Sequence, residues 1–392
     1  MKPYLYIFIS IFLITSTGCV SIPFSNPPKP SGNLNVGTQS FELIDLNREE
    51  WFTDNQNDLR KIMVQVWYPT EQDNGQRELY IDNGNIRIKA LADQFEYNPS
   101  LFRKLVNIET NSIKEAVPYN SGSYPLIIFS HGLGGNRTQN TIMIEELVSN
   151  GYVVIAVEHA YDANVSIFDN GDIADYRSGI NYNRRHTEKL TPQEFWDIRE
   201  PQLKTRAADV SFLIDEIEEG RFPEKITQII NLDKIGIFGH SFGGATSIFS
   251  SYSDHRIDAC VNLDGWMVVV PDNIINDGIK QSFMYIGQEN WDEKLNYEKL
   301  DKFIESNKNS SKILIPGTTH YDFSDTPHMS KVAKLLKKSG NINSDDLKNI
   351  LNELLLSFFN HNLKDTKIDF NYSYLALKYE MDMIVNVWEK DN

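Results

Sequence analysis

The chain has 392 residues, 41% of them hydrophobic and 11% aromatic, which is ample for one large core or two domains. Its formal net charge of −16, with no long Lys/Arg run, repels phosphate backbones on average and excludes nucleic acid as an expected partner. With only Cys19 and Cys260 present, no disulfide framework is expected.

The N-terminus carries Lys2 as its only charge before an apolar run from Tyr4 to Ile14. That run is too short to span a bilayer comfortably and fits the core of a signal peptide. Ser16-Thr17-Gly18 are small residues ahead of Cys19. The pattern resembles a bacterial lipoprotein signal, with residues 1–18 removed and Cys19 lipidated, although a leucine is usual where Ser16 stands. It implies a membrane partner through Cys19 and a lipid-anchored place in the bacterial cell envelope. Residues 19–40, with Pro23, Pro27, Pro28 and Pro30 among Ser, Asn and Gly, are expected to form an extended tether.

Regular structure is expected from about Phe41, as one catalytic domain over 41–392 with insertions near 71–122 and 160–205. Ile62–Tyr68 reads as a strand stopped by Pro69, and a helical patch is expected around Ala90–Val106. Leu126–Phe129 and Tyr152–Val157 read as strands, with a helix through Ile142–Val148 between them. Thr205–Ile217 has the spacing of an amphipathic helix. Lys234–Phe238, Asp258–Leu263, Phe283–Ile286 and Lys312–Ile315 are further short apolar runs, and Ser344–Phe359 is a long C-terminal helix. Apolar runs without alternation, separated by helices, indicate a mostly parallel sheet covered on both faces.

The decisive feature is Gly239-His240-Ser241-Phe242-Gly243-Gly244, set between a strand-like and a helix-like segment. Strand, G-x-S-x-G, helix is a nucleophile elbow and selects the α/β-hydrolase fold. The chain order Ser, acid, His then puts both partners downstream. His320 stands on a loop after the last apolar strand and is the expected base. Asp264 and Asp292, each following a strand, compete for the acid. Phe242 supplies one oxyanion N–H, and the Gly-rich loop Ser130–Gly135 supplies the second. His131, in that loop, reads as a packing residue beneath the hole rather than a catalytic one. No metal-ligand spacing, Walker loop or dinucleotide fingerprint is present in the sequence.

Several blocks occur in one order: Val66-Trp67-Tyr68-Pro69, Phe129-Ser130-His131-Gly132-Leu133-Gly134, Ala156-Val157-Glu158-His159, the elbow, Leu263-Asp264-Gly265-Trp266-Met267, and Gly317–Phe323. Together they resemble the plasma/type II platelet-activating factor acetylhydrolases, the lipoprotein-associated phospholipase A2 group, with a bacterial-branch character at Glu158–Ala163. The resemblance implies Ser241 as nucleophile, Asp264 as acid, His320 as base, and Leu133 with Phe242 as oxyanion donors. Trp266 and His131 are candidates for the substrate pocket. It further implies hydrolysis of short or oxidised acyl esters of phospholipids with no cofactor. A general carboxylesterase or polyester/lactone hydrolase would use the same triad, and a silent lipid-binding lipoprotein the same fold.

Overall fold

The computed structural model describes residues 21–55, 57–177, 191–291, 293–364, 377–379 and 384–388. The signal segment, Cys19 and Asp292 lie outside the described residues. Among the described residues, eleven strands form one sheet: β1 (Asn35–Glu49), β2 (Leu59–Thr70), β3 (Arg77–Leu79), β4 (Glu109–Lys114), β5 (Tyr124–Ser130), β6 (Val153–His159), β9 (Ile230–His240), β10 (Ile257–Leu263), β11 (Ser282–Gln288), β12 (Ser310–Ile315) and β13 (Ile384–Trp388). Two short strands, β7 (Val165–Ile167) and β8 (Ile173–Asp175), pair with each other. The order is β13-β12-β11-β10-β9-β5-β6-β2-β1-β4-β3. The centre, β12 to β6, is parallel throughout, and antiparallel pairs flank it at β12–β13, β6–β2 and β2–β1.

Alternate residues of the central strands feed two cores, which is why the apolar runs do not alternate with polar residues. Ile128, Ile155 and Ile237 face the helices Pro192–Glu218, Phe242–Ser253 and Lys294–Ser306. Ile127, Val154 and Phe238 face the helices Thr141–Ser149 and Ser344–Leu363. From β5 the chain runs to β6 on one side, and it later returns to place β9 on the other. The crevice beyond the carboxyl ends of β5 and β9 is therefore a topological switch point, where open α/β sheets bind ligands. The loop after β5 and the elbow after β9 meet there.

Several boundaries differ from the sequence reading. β1 begins at Asn35, and Pro69 sits inside β2, opposite Val36. The expected helix near 90–106 is two pieces, Gly84–Phe95 and a 3₁₀ stretch Pro99–Asn107. Glu96, in the left-handed region with φ 55°, and the Asn98-Pro99 step end the first piece. The helix expected from Thr205 starts at Pro192, behind a Thr191/Glu194 capping box. The expected tether is extended, but from Ile22 on it is laid against the catalytic body. Ile22 N–H donates to Leu101 O and Ser25 N–H to Met329 O, at 2.8 and 3.0 Å.

The helix Pro192–Glu218 is fastened to the sheet by charge. Its Asp209 accepts from Arg60 of β2 (2.6 and 3.0 Å), Arg48 of β1 (3.0 Å) and His159 Nδ1 of β6 (2.8 Å). Burial alone would raise the Asp209 carboxyl, yet Arg60 and His159 hold it far below the usual carboxylate range. Removing one partner of such a network strands buried charge. Asp209→Ala is expected to lower the unfolding free energy by about 3–5 kcal/mol in urea titration. Lys204→Ala, which breaks an exposed pair with Glu200, should cost no more than about 1 kcal/mol.

Candidate active site

Small residues make the elbow possible. A Cβ on Gly239 would sit 2.2 Å from Gly243 O, and one on Gly243 only 2.0 Å from Ser130 O. Ser241 itself takes φ 59° and ψ −119°, a region that L-residues rarely occupy. Its N–H donates to Leu263 O at 3.0 Å, and its carbonyl accepts from Trp266 N–H at 3.1 Å. The strained turn is thus fixed to the end of β10, from which Asp264 emerges.

The three residues expected to carry the chemistry meet in one chain. Ser241 Oγ–H donates to His320 Nε2 at 2.9 Å, and His320 Nδ1–H donates to Asp264 Oδ2 at 2.6 Å. Asp264 is fully buried and receives further hydrogen bonds from Gln288 N–H (3.0 Å), Gln288 Nε2 (2.9 Å) and Trp291 Nε1 (3.0 Å). Each of these contacts uses the carboxylate as acceptor and fixes its orientation toward the imidazole. Gly287 makes the room, since a Cβ there would lie 2.8 Å from Asp264 Oδ1. Of the two candidate acids, Asp264 stands against the imidazole, and Asp292 lies outside the described residues.

The second N–H lies in the loop after β5. Gly132 N–H donates to Gln139 Oε1, Gly134 N–H to Asp162 O and Gly135 N–H to Gly132 O. Among the described residues, Leu133 N–H has no such acceptor. Phe242 begins the helix after Ser241, where a first-turn N–H has no intrahelical partner. Among the described residues, neither N–H donates to a protein acceptor.

His131 and Trp266 do not line the cavity, contrary to the sequence expectation. His131 is fully buried beneath the loop. His159 N–H donates to His131 Nε2 (3.1 Å), so its proton is on Nδ1, which donates to Gly132 O (2.7 Å). Burial, with Arg206 and His159 nearby, pushes its pKa well below the usual histidine value. Trp266 packs against Phe195, Phe242 and Arg199, and its indole N–H is held by Glu293. The cavity, about 290 Å³, opens at Ser241, His320 and Leu133 instead and is walled by Phe95, Phe102, Leu105 and Met329. Residues of the 71–122 insertion thus supply much of its apolar surface.

The sequence reading missed the supporting residues. Arg206 donates to Asp162 Oδ2 and to His131 O, both at 2.6 Å, and its guanidinium lies 4.9 Å from the Phe242 ring centroid. Gln139 and His240 join the oxyanion loop to the base. Because Gln139 Oε1 takes the Gly132 N–H (3.0 Å), its amide nitrogen faces His240 Nδ1 (2.8 Å), and His240 Nε2–H donates to His320 O (2.9 Å). Burial, then the neighbouring His320, holds His240 well below the usual histidine pKa, so it stays neutral. Only His240 had a visible signal, its place inside the elbow motif.

Residues 21–378 match the family platelet-activating factor acetylhydrolase, isoform II. The chain belongs to this family. Relatives include platelet-activating factor acetylhydrolases of Canis lupus familiaris (28% identical, 88% of this chain and 78% of the relative) and Bos taurus (30% identical, 86% and 78%). A ferulic acid esterase structure from Streptomyces cinnamoneus aligns at a TM-score of 0.73 over 94% of this chain and 100% of that one. At 20% identity that likeness shows the shared α/β-hydrolase fold. Among the described residues, no cluster of three or more His, Cys, Asp or Glu could hold a metal ion.

Two measurements check the geometry of this acetylhydrolase-family site. Asp264→Asn should lower ester turnover by about four orders of magnitude, whereas Asp292→Asn should leave it within a few-fold. In ¹H–¹⁵N long-range spectra at pH 6, His131 should be a neutral Nδ1–H tautomer and His240 a neutral Nε2–H tautomer. Imidazolium shifts at either residue would contradict the hydrogen-bond assignment.

Proposed function

We propose that this protein is a serine esterase that hydrolyses short or oxidised acyl esters of phospholipids. The observation that carries the reading is the unbroken Asp264–His320–Ser241 hydrogen-bonded chain opening into an apolar cavity, in a member of the acetylhydrolase family. Asp264 holds the imidazole in the tautomer that leaves Nε2 free to accept the Ser241 proton. As Oγ attacks the ester carbonyl, the proton passes to Nε2 and the oxyanion rests on Leu133 and Phe242 N–H. The tetrahedral intermediate collapses, and the alcohol leaves with the proton from His320. Water, deprotonated by the same nitrogen, then releases the acid. The sequence requires no cofactor for these steps.

Lipidation at Cys19 is a further part of the proposal. It is supported by the signal-like residues 1–18 and by an extended segment that, among the described residues, is already held to the catalytic body at Ile22. Three residues from Cys19 to Ile22 reach about 11 Å at most, so such an anchor would keep the catalytic body against the bilayer surface. Among the described residues, no helix is long and apolar enough to cross a membrane.

A fluorophosphonate probe should label the wild type and leave Ser241→Ala unlabelled; a folded wild type that resists the probe would overturn the esterase reading. Turnover should be highest on phospholipids carrying an acetyl or truncated acyl chain, fall on intact long chains, and survive EDTA. Cys19→Ser should move the protein from the detergent phase to the aqueous phase in a Triton X-114 partition, and retention of the variant in the detergent phase would contradict the anchor.

A further inference from the structure

The apolar wall of the cavity is completed by the N-terminal segment. Ile22 and Phe24 stand on it beside Phe102, Leu105 and Met329, while the intervening Pro23 and following Ser25 face solvent. That is the period of two of an extended chain, with one edge turned into the site. The segment bridges both arms that flank the cavity. Ile22 N–H donates to Leu101 O of the 3₁₀ stretch, and Ser25 N–H to Met329 O of the chain that follows His320. Ser330 Oγ–H donates to Pro23 O at 2.7 Å, and the Phe24 and Phe102 rings stack at 6.4 Å. Composition alone makes these residues a tether, but their contacts make them part of the site.

We propose that residues 22–25 are a fixed wall of the substrate cavity and that Ile22 and Phe24 limit the length of apolar chain the ester can carry. The inference rests on the serine esterase reading. At about 290 Å³ the cavity is at the small end for ligand sites, so a single side chain on its wall is a large share of its shape. Removing a side chain there opens room along the apolar surface of Phe102 and Leu105 for additional methylenes, each discriminated by about tenfold or more in a close-fitting pocket.

The test uses the detergent-solubilised full chain and two series of p-nitrophenyl and alkyl esters, one lengthening the acyl group and one lengthening the alcohol of an acetate. Ile22→Ala and Phe24→Ala should raise kcat/KM for ten-carbon over two-carbon chains by about tenfold in one series. That series identifies which part of the ester lies on the wall. Phe24→Leu, the milder change, should shift the ratio the same way and decides the matter if the alanine variants do not fold. Lys29→Ala, exposed in the same segment, should leave the ratio unmoved. Unshifted ratios in both series, for variants that fluorophosphonate still labels, would overturn the proposal, as would an equal shift in Lys29→Ala. Failure of the esterase reading looks different: the wild type would take no label and turn over neither series.

Discussion

The structure depends on how closely the start of the helix Phe242–Ser253 approaches the ends of β5 and β9. Ser130 carbonyl oxygen lies where a Cβ of Gly243 would be, and Gly243 carbonyl lies where a Cβ of Gly239 would be. Only glycines allow the helix Phe242–Ser253 to leave the sheet at that point. Ser241 is then forced into its positive-φ conformation, at a cost of about 1–3 kcal/mol that the surrounding sheet and helix offset. Everything catalytic follows from this close packing. It aims the hydroxyl out of the sheet, brings Phe242 N–H beside it, and sets the loop after β5 within reach of the same reacting atom.

Neutral histidines hold the rest in register. His131 supports the oxyanion loop from below through His159 N–H and Gly132 O. His240 links that loop, by way of Gln139, to the backbone of the base. A buried neutral imidazole is a directional connector, with one donor and one acceptor, and burial is what keeps each of these two neutral. Arg206 closes the arrangement by holding His131 O and Asp162 together under Phe242. One connected set of hydrogen bonds thus runs from Arg206 through His131, Gly132, Gln139 and His240 to the backbone of His320.

Much of this was legible in the sequence, for identifiable reasons. The elbow declares itself because its constraint is local: small residues at fixed offsets between two periodic segments. Central strands declare themselves because both faces are buried and their apolar runs are continuous. His320 is expected from chain order and its loop, whereas spacing leaves Asp264 and Asp292 even and only the family resemblance favours Asp264, which the structure places against His320. What stayed hidden is non-local. Asp162, Arg206, Gln139 and Asp209 are ordinary polar residues until the fold brings elements remote in sequence together around them. Pro69 misled because a proline is tolerated where its missing N–H is not needed by the ladder. The composition of residues 22–25 describes a linker, and only their contacts place Ile22 and Phe24 on the cavity. The lining of the cavity likewise comes from the 71–122 insertion and the N-terminus, and neither His131 nor Trp266 is part of it.

The central claim is that Ser241 carries the acyl group of a phospholipid ester during turnover. Intact-protein and peptide mass spectrometry after rapid acid quenching, with a 2-acetyl phospholipid as substrate, tests it directly. One added acetyl group is expected, located on the peptide that contains Ser241 and absent in Ser241→Ala. Steady hydrolysis with no acyl adduct under any quench time, or an adduct on another residue, would contradict it.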